Sequence, residues 1–284
     1  MIRLPLLLKA GKNMVRITEQ EFRQFADYIK SNYGIYFKDE KKTLIEGRLG
    51  NLMSSLNFKS LTEYMHYVKS DKTGQAASVM LNKITTNHTF FMREPAHFQY
   101  FKDMVLPYLS KTVRDKDLRI WSAACSSGEE PYTLAMIIDE FFGPAKIGWD
   151  TKILATDISQ AVLSVAKAGI YSSERIKDLP ESWIRRYFKN HDSENYIISE
   201  KIRNEVIFSS INLMDHTFPF RRKMHVIFCR NVMIYFDNET KERLAERLYD
   251  ITEPGGFLFI GHSESLNRDR TRYKYVMPAV YRKE

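Results

Sequence analysis

The chain has 284 residues, with 44% apolar and 27% charged, which fits one large or two ordinary globular domains and excludes a disordered chain. A net charge of +8 points to an acidic partner: nucleic acid, an anionic membrane surface or an acidic protein. Two cysteines, Cys125 and Cys229, exclude a disulfide framework and a four-thiolate zinc site, and no apolar run approaches the ~20 residues of a membrane-spanning helix. A reducing, cytoplasmic setting is the natural reading.

Leu4-Pro5-Leu6-Leu7-Leu8 is too short for a signal-peptide core, and residues 1–13 read as a loose extension because Met14 opens a better-organised segment. Thr18 and Glu21 form the ends of a capping box, and Phe22, Phe25, Ala26, Ile29 and Tyr33 follow at helical spacing up to Gly34. A second helix is expected from about Asp39, with Leu44, Ile45, Leu49, Leu52, Met53 and Leu56 as its apolar stripe. Lys41 and Arg48 lie on nearly the same azimuth beside that stripe, with Lys42 nearby. They are either a solvated helix face or a docking face for an acidic partner, and most of the chain's excess positive charge lies in its first 100 residues. Ser60–Val68 and Thr73–Ile84 read as two shorter helices. Residues 14–84 are therefore expected to form a helical domain, and 85–116 a linker with a connecting helix.

From residue 117 strands and helices alternate, which predicts an α/β domain over 117–284 with a mostly parallel sheet. Strands are expected at Leu118–Ser122, Lys152–Thr156, Val206–Ser209, Met224–Cys229 and Gly256–Ile260, with Val276–Tyr281 closing the sheet. Helices are expected at Glu129–Phe142, Ser159–Ala168 and Asp237–Ile251. Residues 183–203 break the alternation and predict an inserted β-subdomain spanning about 183–210.

Ligands of such sheets bind beyond the carboxyl ends of the strands. The first strand runs into Ser122-Ala123-Ala124-Cys125-Ser126-Ser127-Gly128, a small-residue turn that opens a helix. Its single glycine departs from G-x-G-x-x-G, so an ordinary strand-to-helix turn stays open as a reading. Glu129 and Glu130 at the helix start disfavour a phosphate there. They favour a nucleoside with a positive centre, as in S-adenosylmethionine, which has a sulfonium and no phosphate. Asp157, closing the second strand, can accept both ribose hydroxyls or cap the next helix. The seven histidines lack zinc-like spacing, so no metal is expected. Both cysteines and the Phe90-Phe91 pair read as packing residues.

Five motifs in order resemble the bacterial chemotaxis receptor methyltransferases, the CheR family. They are Asn87-His88-Thr89-Phe90-Phe91-Met92-Arg93-Glu94, Trp121 to Tyr132, Ala155-Thr156-Asp157-Ile158, Ile211-Asn212-Leu213 and Phe228-Cys229-Arg230-Asn231-Val232-Met233-Ile234-Tyr235-Phe236; Gly261-His262-Ser263-Glu264 agrees as well. The likeness spans residues 16–282. It implies an N-terminal helical receptor-recognition domain followed by a Rossmann-like methyltransferase domain with an inserted antiparallel β-subdomain. It also implies methyl transfer from S-adenosylmethionine to receptor glutamates, leaving glutamyl methyl esters and S-adenosylhomocysteine. By resemblance, Asn87, Thr89, Arg93, Ala123, Glu129, Asp157, Asn212, Leu213 and Asn231 contact the cofactor. Arg93, Arg230 and Tyr235 face the methyl group and the incoming glutamate, and Lys41, Lys42 and Arg48 meet the acidic receptor helix. Some family members tether to a receptor pentapeptide through a glycine-rich loop. Here that stretch, Lys189 to Tyr196, has no glycine and is about three residues shorter, so no tether is expected. A monomer without nucleic-acid or membrane partners is expected. Two rival readings, a nucleic-acid methyltransferase and an inactive signalling module, fit less well: no Asn-Pro-Pro-Tyr-type motif is present, and Asp157 and Arg93 are both retained.

Overall fold

The structure, a computed structural model, describes residues 15–284. The extension expected at 1–13 and the domain start at Met14 lie outside the described residues. The chain divides into two units, the second running Asn87–Glu284.

In the first unit the capping box starts α1 (Glu19–Tyr33) as the sequence predicts. Thr18 Oγ1 accepts the Glu21 N–H at 3.2 Å, and Glu21 Oε2 accepts the Thr18 N–H at 3.0 Å. Gly34 ends the helix in the left-handed region, φ 73°. A 3₁₀ turn at Asp39–Lys41 precedes α2 (Lys42–Ser55). Only Ile45, Leu49, Gly50 and Met53 are buried on α2, whereas Leu44 and Leu56 stay 42% and 39% exposed. The inner stripe is thus narrower than the sequence implies. Ser60 caps α3 (Leu61–Ser70) through the Glu63 N–H, and the Asp71 carboxylate receives the Thr73 and Ala76 N–H groups at the entry to α4 (Gln75–Ile84).

The second unit opens with α5 (Pro95–Tyr100), a π-helical turn at Phe101–Val105 and α6 (Leu106–Thr112), which run on from one another. Next come β1 (Ile120–Ala123), α7 (Glu129–Phe142), β2 (Ile153–Asp157) and α8 (Gln160–Ala168). The small sheet follows: β3 (Ile170–Ser172), α9 (Ser173–Ile176), α10 (Glu181–Tyr187), β4 (Phe188–Asn190) and β5 (Asn195–Ile198). The chain then gives α11 (Glu200–Arg203), β6 (Val206–Ser210), β7 (Met224–Phe228), α12 (Asn238–Asp250), β8 (Thr252–Phe259), β9 (Lys274–Met277) and β10 (Val280–Arg282).

The seven-stranded sheet has the order β6-β2-β1-β7-β8-β10-β9. Its first five strands are parallel, and β10 and β9 add an antiparallel edge. From β1 the chain winds to one side through β2 and β6, then crosses to β7 and β8. The topological switch therefore lies between β1 and β7, where open α/β sheets hold ligands. Trp121, Val226, Ile227, Phe228 and Phe259 fill the centre with at most trace exposure. Among the described residues, no helix is long and apolar enough to cross a membrane.

Two expectations need correction. The closing strand expected at Val276–Tyr281 is a hairpin, because Pro278 has no N–H for a ladder and Ala279 turns with φ 63°. The small antiparallel sheet, order β3-β5-β4, takes its first strand from residues 170–172, before the expected start at 183. Its expected end also moves, since Val206–Ser210 pairs in parallel with β2 in the main sheet. Gly169, φ 64°, ends α8 and turns the chain into β3, so the break in alternation comes one element earlier than the sequence pattern shows.

Candidate active site

β1 ends at Ala123, and the turn beyond it bends sharply, with positive φ at Ala124 (67°), Ser126 (49°) and Gly128 (96°). A Cβ on Gly128 would stand 2.9 Å from the Ala166 Cβ, so only glycine lets the turn lie against α8. The Ser126 N–H donates to Asp157 Oδ2 at 2.9 Å, and Oδ1 accepts the Ser159 N–H at 2.9 Å. Asp157 thus joins the ends of β1 and β2 while starting α8. Burial raises its pKa from the ordinary carboxylate value, opposed by the Ser159, Ser126 and Ile158 N–H groups. Ser126 Oγ donates to the Asn87 carbonyl at 3.2 Å, which draws the Asn87-to-Glu94 segment to the same turn.

The two acidic residues that open α7 are both satisfied from within. Glu129, with no exposed surface, accepts from Ser127 Oγ at 2.8 Å and pairs with Arg175 Nη1 at 2.7 Å. Glu130 accepts from Ser122 Oγ at 2.7 Å and from Arg230 Nη1 at 2.8 Å. Burial raises the pKa of both, partly offset by these partners.

Arg230, at the end of β7, has a side chain only 2% exposed. Its other Nη2 hydrogens go to the Arg93 carbonyl and to Glu94 Oε2 at 3.1 Å, and its guanidinium lies over the Phe98 ring. Asn231, in the left-handed region at φ 57°, donates from Nδ2 to Glu94 Oε1 at 3.0 Å. Glu264 accepts the N–H groups of Asn231 (2.9 Å), Ile234 (3.0 Å) and Gly261 (2.5 Å), so one carboxylate holds the strand-end loops of β7 and β8. A Cβ on Gly261 would overlap the Asn231 side chain. For Glu94, burial would raise the pKa. The Asn231 amide, the Arg230 charge and the His262 N–H outweigh that and hold it below the usual carboxylate range.

The remaining expected residues fall at the same end of the sheet. Arg93 Nη1 donates to the His88 carbonyl at 2.6 Å, and Thr89 is half-buried between them. Asn212 follows β6 and accepts the Met214 N–H at Oδ1, 2.9 Å; the Leu213 carbonyl receives Arg247 Nη2 at 2.6 Å. Tyr235 is half-buried in the 3₁₀ turn Met233–Tyr235. Asn87, Thr89, Arg93, Ala123, Asp157, Asn212, Leu213, Asn231 and Tyr235 therefore belong to segments around the carboxyl ends of β1, β2, β6 and β7.

The side chains of Glu129 and Arg230 have partners within the protein, as a buried charge requires. Sequence reading missed Glu94, Glu130 and Glu264 as framework residues. All three stand inside the quoted motifs, yet their partners lie far away in sequence. Both thiols are buried, and burial pushes them well above the usual range, which agrees with packing roles. Phe91 packs edge-on against Tyr171 and Phe188, whereas Phe90 is 46% exposed.

In the helical unit, Lys42 Nζ pairs with Glu19 at 2.6 Å. Arg48 donates to the Ile84 carbonyl at 2.6 Å and to Thr86 Oγ1 at 3.0 Å, which ties α2 to the end of α4. Lys41 is exposed. Of the expected basic trio, Lys42 and Arg48 thus serve the unit's own structure.

The sequence matches the all-alpha domain of CheR methyltransferases over residues 20–85 and their SAM-binding domain over 87–281. The chemotaxis protein methyltransferase of Borreliella burgdorferi is 39% identical over 272 residues, covering 95% of this chain and 96% of that protein. Chemotaxis protein methyltransferase 1 of Pseudomonas aeruginosa is 37% identical, covering 90% and 94%. The chemotaxis protein methyltransferase of Escherichia coli is 32% identical, covering 97% and 94%. S-adenosylmethionine is the cofactor of the second unit, and the donor set fits it: strand-end carboxylates suit ribose hydroxyls and a sulfonium, not a phosphate. With both units matched and relatives aligned over nine-tenths of its length, the chain belongs to the CheR methyltransferase family.

Proposed function

We propose that this protein transfers the methyl group of S-adenosylmethionine to glutamate side chains of chemotaxis receptors in the cytoplasm, acting as a monomer. The relatives' names supply the chemotaxis setting. The observation that carries the glutamate reading is the chemistry at the sheet end: the thiols are buried and protonated, and Arg230 and Glu130 are locked together. The nucleophile that suits such a site is one already ionised. A glutamate, with a reference pKa near ~4.3, is an anion at neutral pH and needs no general base.

When bound, the cofactor supplies a methyl group on a positive sulfonium. In this reading Asp157 takes the ribose hydroxyls, and Asn212 and Leu213 border the adenine. Ala123, Asn87, Thr89, Arg93 and Asn231 line the remainder. Glu129 acts from behind, by fixing Ser127 and Arg175. Arg230 orients the loop that carries Asn231 and Tyr235 instead of gripping the substrate. Arg93 and Tyr235 position the incoming carboxylate. A hydroxyl suits that role, because a tight guanidinium pair would hold the nucleophile back. As carboxylate and sulfonium approach, both charges are lost, so the protein's work is alignment and exclusion of water.

Incubation with methyl-labelled S-adenosylmethionine and a receptor signalling domain, followed by alkali, tests the reading. Methyl esters release labelled methanol. Label that stays on the protein through alkali, or label appearing on nucleic acid instead, would overturn it.

A further inference from the structure

Glu94 and His97 sit three residues apart at the start of α5, and His262 reaches them from a loop 168 residues beyond Glu94. One ligand atom from each lies within 4.8 Å of the others. Glu94 Oε2 and His97 Nδ1 are 3.4 Å apart, close to the ~3.3 Å edge of a tetrahedron with metal–ligand bonds of about 2.0–2.1 Å. The two imidazoles meet with centroids 4.5 Å apart at 82°.

His97 has no exposed surface, and its Nδ1 faces the Glu94 carboxylate with the Pro278 carbonyl also beside the ring. An imidazole nitrogen is among the commonest metal ligands in proteins. His262 is exposed, so its ring can turn toward the pair without disturbing the core. Two imidazoles and a carboxylate suit zinc and neighbouring transition metals better than magnesium or calcium. Sequence spacing could not show this set, because the fold alone brings His262 to the other two.

We propose that Glu94, His97 and His262 form a three-ligand site for a divalent transition-metal cation, and that its occupancy weakens cofactor binding. The coupling follows from Glu94, which now holds Arg230, the Asn231 amide and the His262 N–H together. A cation on Oε2 displaces the Arg230 contact and loosens the loop that carries Asn231. Arg230 also competes for the site, so affinity is moderate and the effect is inhibitory rather than structural.

Zn²⁺, titrated into the full chain against a chromophoric chelator, is the direct probe. Co²⁺ then reports tetrahedral geometry through its visible ligand-field bands. One ion per chain is expected, with affinity falling about tenfold or more in His262→Ala and in His97→Gln. His262→Ala alters an exposed ring, so it remains informative if His97→Gln folds poorly. S-adenosylhomocysteine affinity, measured by calorimetry against each protein's own zinc-free reference, should fall with Zn²⁺ in the native chain and stay constant in His262→Ala. No bound ion, or binding unchanged in His262→Ala, overturns the site. Site-specific binding with no change in cofactor affinity overturns the coupling.

Discussion

Arg230 Nη1 lies 2.8 Å from Glu130 Oε2, in a place where the arginine side chain is 2% exposed. This pair joins the end of β7 to the start of α7 across the switch point of the sheet. Arg230→Met would leave Glu130 and Glu94 without their charge partner. A loss of about 3–5 kcal/mol in urea unfolding is expected, and Arg230→Met with Glu130→Gln should recover part of it. A single variant as stable as the native chain would show that the pair is dispensable.

Asp157→Asn is expected to weaken S-adenosylhomocysteine binding by about 10- to 100-fold, the worth of a charge-assisted hydrogen bond. The amide oxygen can accept only one of the Ser126 and Ser159 N–H groups, so the thermal midpoint should also fall, and affinity is compared well below it. Calorimetric titration checks this, and an unchanged dissociation constant would remove Asp157 from the cofactor site.

Stability should fall with acid through His225. Burial, then the Arg119 charge, lowers its pKa to about 4, against the opposing pull of Glu253, Asp115 and Asp117. The unfolded chain, with an ordinary histidine pKa near ~6.5, takes up the proton first. Its contribution is therefore complete above pH ~6.5 and lost as pH falls toward 4. Denaturation midpoints at several pH values should slope less in His225→Asn; parallel curves would assign the slope to other groups.

Receptor docking on the helical unit should depend on Lys41 more than on its neighbours, because Lys41 is exposed and Lys42 and Arg48 have internal partners. Lys41→Glu is expected to raise KM for a receptor domain with little change in kcat, more so at low salt. Arg48→Ala should instead lower stability, by about 1–2 kcal/mol for the lost charged hydrogen bonds. Methylation kinetics alongside unfolding curves separate the two roles, and equal KM values for Lys41→Glu and the native chain would move docking elsewhere.

No pentapeptide tether is expected at the β4–β5 turn. Asp192 closes that turn by accepting the Glu194 and Asn195 N–H groups at 2.9 Å, and the Asn195 amide braces it in return. A calorimetric signal from a receptor C-terminal pentapeptide would refute this.

Local physics was legible in the sequence. The Thr18–Glu21 capping box and the strand-end placement of Asp157 and Asn231 follow from residue type and spacing. The motif run from Asn87 to Tyr235 likewise identified the family and its cofactor. Three things belonged to the tertiary structure alone. The small sheet starts at Ile170 because a strand is defined by the partner it finds, and Tyr171 finds Tyr196. Arg230 and Glu129 turn inward because a buried charge goes wherever its counterion is, and Glu130, Glu94 and Arg175 come from distant segments. His262 joins Glu94 and His97 because the loop after β8 meets the start of α5, where His97 packs against Phe259, a proximity that no spacing along the chain encodes.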